Sequence, residues 1–247
     1  MVNSNSSIGI GRVASVTGSD SVLIGPRTTM VGTSAVGMGA SANVNGNNSV
    51  GIGSSVNTNG VGAVAIGNKA NAMAASAVAV GNGAIANNTD AAAFGDGSMA
   101  SGTQAIAVGK SSTASGAQAI AVGKSSTASS AQAIAIGENS LASEINSTAI
   151  GFGAQALKRN DYAAGTNAKA VGGWGTAIGN DAYADGNGGS AIAIGPKAYA
   201  QGASGNAAAL ESNTAIAIGE SSKAIKSSIA IGYNAQATQN AAIALGW

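Results

Sequence analysis

The sequence predicts an all-β parallel solenoid made of 14-residue coils, and three observations predict it. A five-residue unit, Ala119-Ile120-Ala121-Val122-Gly123, returns along the chain as Ser7-Ile8-Gly9-Ile10-Gly11, Ala63-Val64-Ala65-Ile66-Gly67, Ala133-Ile134-Ala135-Ile136-Gly137, Ala191-Ile192-Ala193-Ile194-Gly195 and Ala242-Ile243-Ala244-Leu245-Gly246. Its closing glycine falls at Gly11, Gly25, Gly39, Gly53, Gly67, Gly81, Gly95, Gly109, Gly123 and Gly137, a step of 14 each time, and so strict a period marks a repeat architecture. Around each glycine, small and branched residues alternate with period two, the mark of a strand.

The first strand of each coil precedes the ruler glycine. One residue before it stand Ile52, Ile66, Val80, Phe94, Val108 and Val122, and three before it Val50, Val64, Val78, Ala92, Ile106 and Ile120. Val64 serves as the type position of this strand core. Between them lie Gly51, Ala65, Ala79, Ala93, Ala107 and Ala121, so the strand is apolar or small on both faces, as strands covered on two sides are. The second strand follows the glycine. Its third and fifth residues are small (Ala70 and Ala72, Ser112 and Ala114), while the fourth varies (Asn57, Asn71, Ile85, Met99, Thr113, Leu141); one side turns inward and one to solvent. The glycine is the corner between the strands, and both prolines, Pro26 and Pro196, directly follow a ruler glycine, where a corner tolerates them. Fourteen residues are too few for strand-helix-strand and suit two short strands with two turns. Stacked coils then align Gln104, Gln118 and Gln132 as a ladder, and set Lys110 over Lys124 in a solvated column.

The domain reading is one roll over residues 1–247, regular over 1–137 and irregular over 138–247. Past Gly137 the ruler is read as Gly153, Gly165, Gly179, Gly195, Gly219, Gly232 and Gly246, which predicts protrusions near Glu144–Ser147, Asp185–Ser190 and Gln201–Asn213, the last including an insertion at 201–213. About 17 coils at about 4.8 Å each give a rod of roughly 80 Å.

Composition narrows the function. Gly is 38 of 247 residues, aromatic residues are 3% and charged residues 9%, with a net charge of +1. The apolar 45% is mostly alanine, which argues against both a disordered polyelectrolyte and a core of large side chains. No basic block exists to neutralise phosphates, so nucleic acid is not an expected partner. There is no Cys and no His, removing disulfides, thiolates and the commonest general base and metal ligand. No apolar run is long enough to span a bilayer as a helix. The chain shows no signal peptide, so if exported it is expected to be a mature portion. Two branched residues per coil are little return for ordering fourteen, and the second apolar face has no helix to cover it; further copies of the same chain are the expected cover.

The repeated unit resembles the head of YadA-type trimeric autotransporter adhesins, whose motif reads Asn-Ser-Val-Ala-Ile-Gly-x-x-Ser. Asn48-Ser49-Val50-Gly51-Ile52-Gly53 matches its first six positions with one change, Asn213 to Ser222 carries the core and the trailing serine, and Gly109-Lys110-Ser111-Ser112 and Gly137-Glu138-Asn139-Ser140 carry the Gly-x-x-Ser end. The resemblance implies a left-handed parallel β-roll, a homotrimer about a threefold axis, and display on a Gram-negative outer membrane through an anchor absent from this chain. It also implies non-enzymatic adhesion to host extracellular matrix, cells or surfaces. The alternative is a trimeric segment of a phage or other extracellular receptor-binding fibre; an ice-binding solenoid would need a regular threonine column.

No catalytic, cofactor-binding or metal residue is assigned. Gly109-Lys110-Ser111 and Gly123-Lys124-Ser125 imitate the end of a phosphate loop, but the glycine needed five residues earlier is Gln104 or Gln118, so both read as corners. Asp161, Asp181 and Asp185 come nearest to an acidic cluster and read as solvated loops. An outward column is read as turning apolar through Ile85, Met99, Leu141, Leu157, Tyr183 and Tyr199, a candidate interaction surface or flank shield. Trp174 and Trp247 read as packing or end features.

Overall fold

The computed structural model describes residues 1–187, 189–202 and 214–246. The chain divides into two compact units, Met1–Ser125 and Ser126–Trp247.

In the first unit, three-residue strands from Ile8–Ile10 to Ile120–Val122 alternate with two-residue strands from Ser15–Val16 to Thr113–Ala114. Each kind pairs in parallel with its equivalent one coil on. Val64, Ala65 and Ile66 face Val78, Ala79 and Val80, and Asn71 and Ala72 face Ile85 and Ala86. Both registers advance by the ruler step, as the spacing predicts. Bonds between coils continue round the turns: Gly81 N donates to Ile66 O at 2.8 Å and Lys69 N to Ser54 O at 2.8 Å.

The alternating side chains settle which face is inside. Ala63, Ala65, Ala70 and Ala72 are all 0% exposed: one pair comes from each strand of the coil, and the interior closes on methyl groups. The branched residues turn outward, Val64 at intermediate exposure and Ile66 at 37%. The strand whose type position is Val64 is present, but its core side chains are the flanking alanines. The first coils use larger interior residues and make room with glycine. A Cβ on Gly37 would lie 2.7 Å from Leu23 Cδ1 and 3.1 Å from Val44 Cγ2. Leu23, Met30 and Val44 fill that volume, with Val16, Ala14 and Ala35, as one buried cluster.

The ruler glycine is a steric requirement. Gly67 has φ +129°, and a Cβ there would sit 2.4 Å from the carbonyl oxygen of Gly81 in the next coil. The serine three residues on is buried beneath this corner. Ser98 Oγ donates to Gly95 O at 2.9 Å and Ser112 Oγ to Gly109 O at 2.9 Å, which gives the Gly-x-x-Ser spacing its cause.

The second unit follows the same rule from Thr127–Ala128 to Ile243–Leu245. Ile134, Ala135 and Ile136 pair with Thr148, Ala149 and Ile150, and these with Tyr162, Ala163 and Ala164. The corner after Gly137 is therefore Gly151, with φ 128°, and the 14-residue step continues through Gly165 to Gly179. Gly153 is instead the second residue past the corner, where φ is 64°; Ser111 and Asn139 hold the same place with φ 56° and 58°. This corrects three expectations. Glu144–Ser147 is no protrusion but an ordinary turn, closed by Ser147 N to Glu144 O at 3.1 Å. Irregularity begins after Gly179 rather than at 138. Leu157 leaves the outward column, because Gln155 occupies the place opposite Leu141.

The next step, Gly179 to Gly195, is 16 residues. The surplus enters a turn in which Gly189 N donates to Gly186 O at 2.8 Å, within the expected segment Asp185–Ser190. Here the strands lengthen by one residue, to Gly175–Ile178, Ala191–Ile194 and Ala215–Ile218 on one sheet and Tyr183–Asp185, Tyr199–Gln201 and Lys223–Ile225 on the other. Of the expected insertion at 201–213, Gln201 ends a strand and Gly202 N donates to Asp185 O at 2.7 Å; residues 203–213 and Trp247 lie outside the described residues.

Candidate functional site

Among the described residues the large and polar side chains lie on the outward columns of the coils. The first is the branched face of the longer strands. In the first unit it presents Ile52, Ile66 and Phe94 at 36–41% exposure. In the second, Ile136, Ile150, Ile178, Ile218 and Ile231 lie at 36–41%. Parallel register places these side chains one above another, so the apolar strip follows directly from the repeat.

The second column stands on the outer side of the shorter strands. Among its members Thr29 Oγ1 donates to Asn43 Oδ1 at 3.0 Å, and Asn43 Nδ2 to Asn57 Oδ1 at 3.3 Å, the amide ladder that stacked identical positions favour. Ile85 and Met99 are neighbours, but Thr113 follows Met99, and Gln155 and Lys169 separate Leu141 from Tyr183. The apolar row expected there is thus two pairs, Ile85 with Met99 and Tyr183 with Tyr199, and a lone Leu141 between Thr127 and Gln155. The aromatic one is tightly organised. Tyr183 and Tyr199 stack with centroids 5.0 Å apart and planes 9° from parallel, and Lys223 Nζ lies 5.6 Å from the Tyr199 centroid. Tyr183 Oη donates to Asp185 Oδ2 at 3.3 Å and Tyr199 Oη to Gln201 Oε1 at 2.9 Å. Burial, then the charge of Asp185, raises the pKa of both phenols above the ordinary tyrosine value.

The corner columns are polar. Gln118 Nε2 donates to Gln104 Oε1 at 3.2 Å. Lys110 sits outside as expected, 3.6 Å from Asp96. Gly109-Lys110-Ser111 is a corner with its lysine in solvent, and no loop of amides surrounds it.

The three aspartates fall in three different columns. Asp181 occupies the left-handed position after Gly179, where Asn167 Nδ2 donates to it at 3.3 Å. Asp185 is on the outer surface. Asp161 is inside, 1% exposed, at a place held by alanine or serine in most coils. Its Oδ2 accepts from Lys158 N at 2.9 Å and its Oδ1 from Gly175 N at 2.9 Å. Burial raises its pKa above the usual carboxylate value despite these amides. The reading as a solvated loop residue is therefore corrected for Asp161. Its position four residues before Gly165, inside the alanine column, was the available sign. No group of three metal-ligating side chains exists among the described residues.

A coiled, parallel, alanine-filled roll that displays its large side chains outside defines the class of parallel β-solenoids. The comparisons name the class more closely. Residues 59–84, 100–126, 128–154, 175–192 and 226–247 match the YadA head domain repeat. These five stretches, just under half of the chain, are similar to YadA-type head repeats. Among solved structures, the collagen-binding domain of the Yersinia adhesin YadA is 27% identical over 66% of this chain and 69% of that one, with a TM-score of 0.37. No curated protein matches the chain significantly.

Proposed function

We propose that residues 1–247 form one head of a homotrimeric, non-enzymatic adhesin on the outer membrane of a Gram-negative bacterium, attaching it to host matrix proteins or cell surfaces. One observation carries this reading: from Ala63 onward the buried apolar residues are alanines, so the branched side chains of the longer strands stand outside. Ile192, Ile216 and Ile229, aligned in parallel strands, form a strip that further copies of the chain would bury. The remaining outer columns are then free for ligand. Cross-linking and sedimentation of the purified chain should return three copies. Solid-phase binding to collagens, fibronectin, laminin, glycans and bare plastic should retain the trimer on at least one. A monomer, or a trimer retained on none of them, would overturn the proposal.

A further inference from the structure

Lys158 and Arg159 occupy a corner that, one coil later, is occupied by Gly172 and Gly173. Two successive positions without side chains leave a groove of about 550 Å³ lined by Glu144, Lys158, Arg159, Val171, Trp174, Asp185, Asn187 and the two glycines. Gly172 has no freedom to change, since a Cβ there would meet Gly186 N at 2.0 Å. A side chain at Gly173, where φ is +78°, would project into the groove.

Trp174 lines this groove against local preference. Its φ is 52°, and the equivalent residues Ser76, Gln104, Gln118, Asn146 and Asn160 are polar. The left-handed region costs a bulky side chain about 1–2 kcal/mol, and the indole recovers little of that through burial, being 59% exposed. Val13, with φ 63° and 73% exposure, shares that combination; what distinguishes Trp174 is the groove it lines. Asp161 adds an independent sign. In ordinary coils the amide four residues before the corner closes its own turn, as Ala119 N does on Gly116 O at 3.2 Å. Gly175 N donates instead to the buried Asp161 carboxylate. A buried carboxyl group thus braces this segment through Lys158 N and Gly175 N, as Ser21 Oγ accepts from Ala35 N in an early coil.

The groove's polar groups differ in how far they are satisfied. Lys158 is paired with Glu144 at 3.4 Å. Asp185 accepts from Tyr183 Oη and from Asn187 N at 2.9 Å. Arg159 has no ionic partner among the described residues. With Glu144 neutralised by Lys158, the indole, the unpaired Arg159 guanidinium, the Asn187 amide and the Asp185 carboxylate around one groove match a pyranose ring that carries its own carboxylate. The ring's C–H face packs on the indole, its hydroxyls meet Asp185 and Asn187, and its carboxylate takes the two-pronged pairing that arginine favours. The volume is in the range of small-ligand sites. We infer that this groove, formed by Arg159, Gly172, Gly173, Trp174 and Asn187, binds a carboxylated hexopyranose, as a saccharide site separate from any protein-binding face.

Saturation-transfer NMR on the full chain tests this with methyl β-glucuronide and the methyl glycoside of N-acetylneuraminic acid, against methyl β-glucoside. Fluorescence titration in a Trp247→Phe background isolates Trp174. At least one acidic sugar should saturate and quench, about tenfold more tightly than the glucoside. Trp174→Ala should abolish binding, and Arg159→Gln should reduce the acidic sugar to the level of the glucoside. Both variants should keep the parent circular dichroism, oligomeric state and matrix-protein binding. The inference fails if neither acidic sugar binds, if Trp174→Ala binds as the parent does, or if that variant changes the assembly, which would make Trp174 a packing residue. Matrix-protein binding of the parent reports on the adhesin reading separately.

Discussion

Replacing Gly67 by alanine should open the roll at one corner. The added Cβ would lie 2.4 Å from Gly81 O and 2.7 Å from Gly81 C, where real Cβ atoms do not come within 3.0 Å. The obstacle is backbone, so the adjoining coils must part by about half an ångström. The move strains the bond from Gly81 N to Ile66 O, now 2.8 Å, worth about 0.5–1.5 kcal/mol. It comes on top of about 1–3 kcal/mol for a side chain at that φ. The expected loss is about 2–4 kcal/mol, a fall in Tm on the order of 10 °C. Gly62 provides the control. Its φ is +68° and a Cβ there meets nothing within 4 Å, while Ser34, Asn48 and Ser76 hold the equivalent position. Gly62→Ala should cost about 1 kcal/mol. Urea titration followed by circular dichroism, with hydrogen exchange at Gly81 N, compares the two. If Gly67→Ala came within about 0.5 kcal/mol of the control, inter-coil contact would not be the reason for the ruler glycine.

Thr58 is fully buried and its Oγ1 has no partner among the described residues. Val44 occupies the same place one coil earlier, so Thr58→Val should stabilise by about 1 kcal/mol in the same titration. The raised pKa of Asp161 means that the fold favours its neutral form. Its contribution is greatest below the unfolded carboxylate pKa of about 4 and is lost as pH rises through the higher folded value. Relative to Asp161→Ser, the parent should therefore gain stability on acidification from neutral pH, and parallel pH profiles of the two would expose a wrong sign. Ile192→Asp places a charge on the outward strip while the interior Ala191 and Ala193 are untouched. It should dissociate the trimer in sedimentation yet keep the parent's strand content; a trimer that tolerates the charge would put the interface elsewhere.

Much of the site was hidden for one reason: columns are only as good as the register. Reading Gly153 as a corner confused two kinds of positive-φ glycine. The true corner, Gly151, is held by contact with the next coil, whereas Gly153 is one of several residue types that fit a left-handed turn. Counting from Gly153 places Leu157 in the outward column and sets Lys158 and Arg159 two positions out of line with Gly172 and Gly173. With Gly151 as the corner, the steps of 14 make that alignment visible in the sequence, though the groove and the bonds of Asp161 are not.

The sequence by itself determined the coil: two short strands, the corner, the parallel register and the alternation of small with branched residues. Period two states that a strand has two faces; it does not say which is inside. Only the tertiary structure decided that, because the answer depends on how closely two sheets approach once the turns close. Two tight turns leave room for Ala63, Ala65, Ala70 and Ala72 and nothing larger in that coil. The side chains with most to gain from burial, such as Val64 and Ile66, therefore stand outside, where another molecule must bury them.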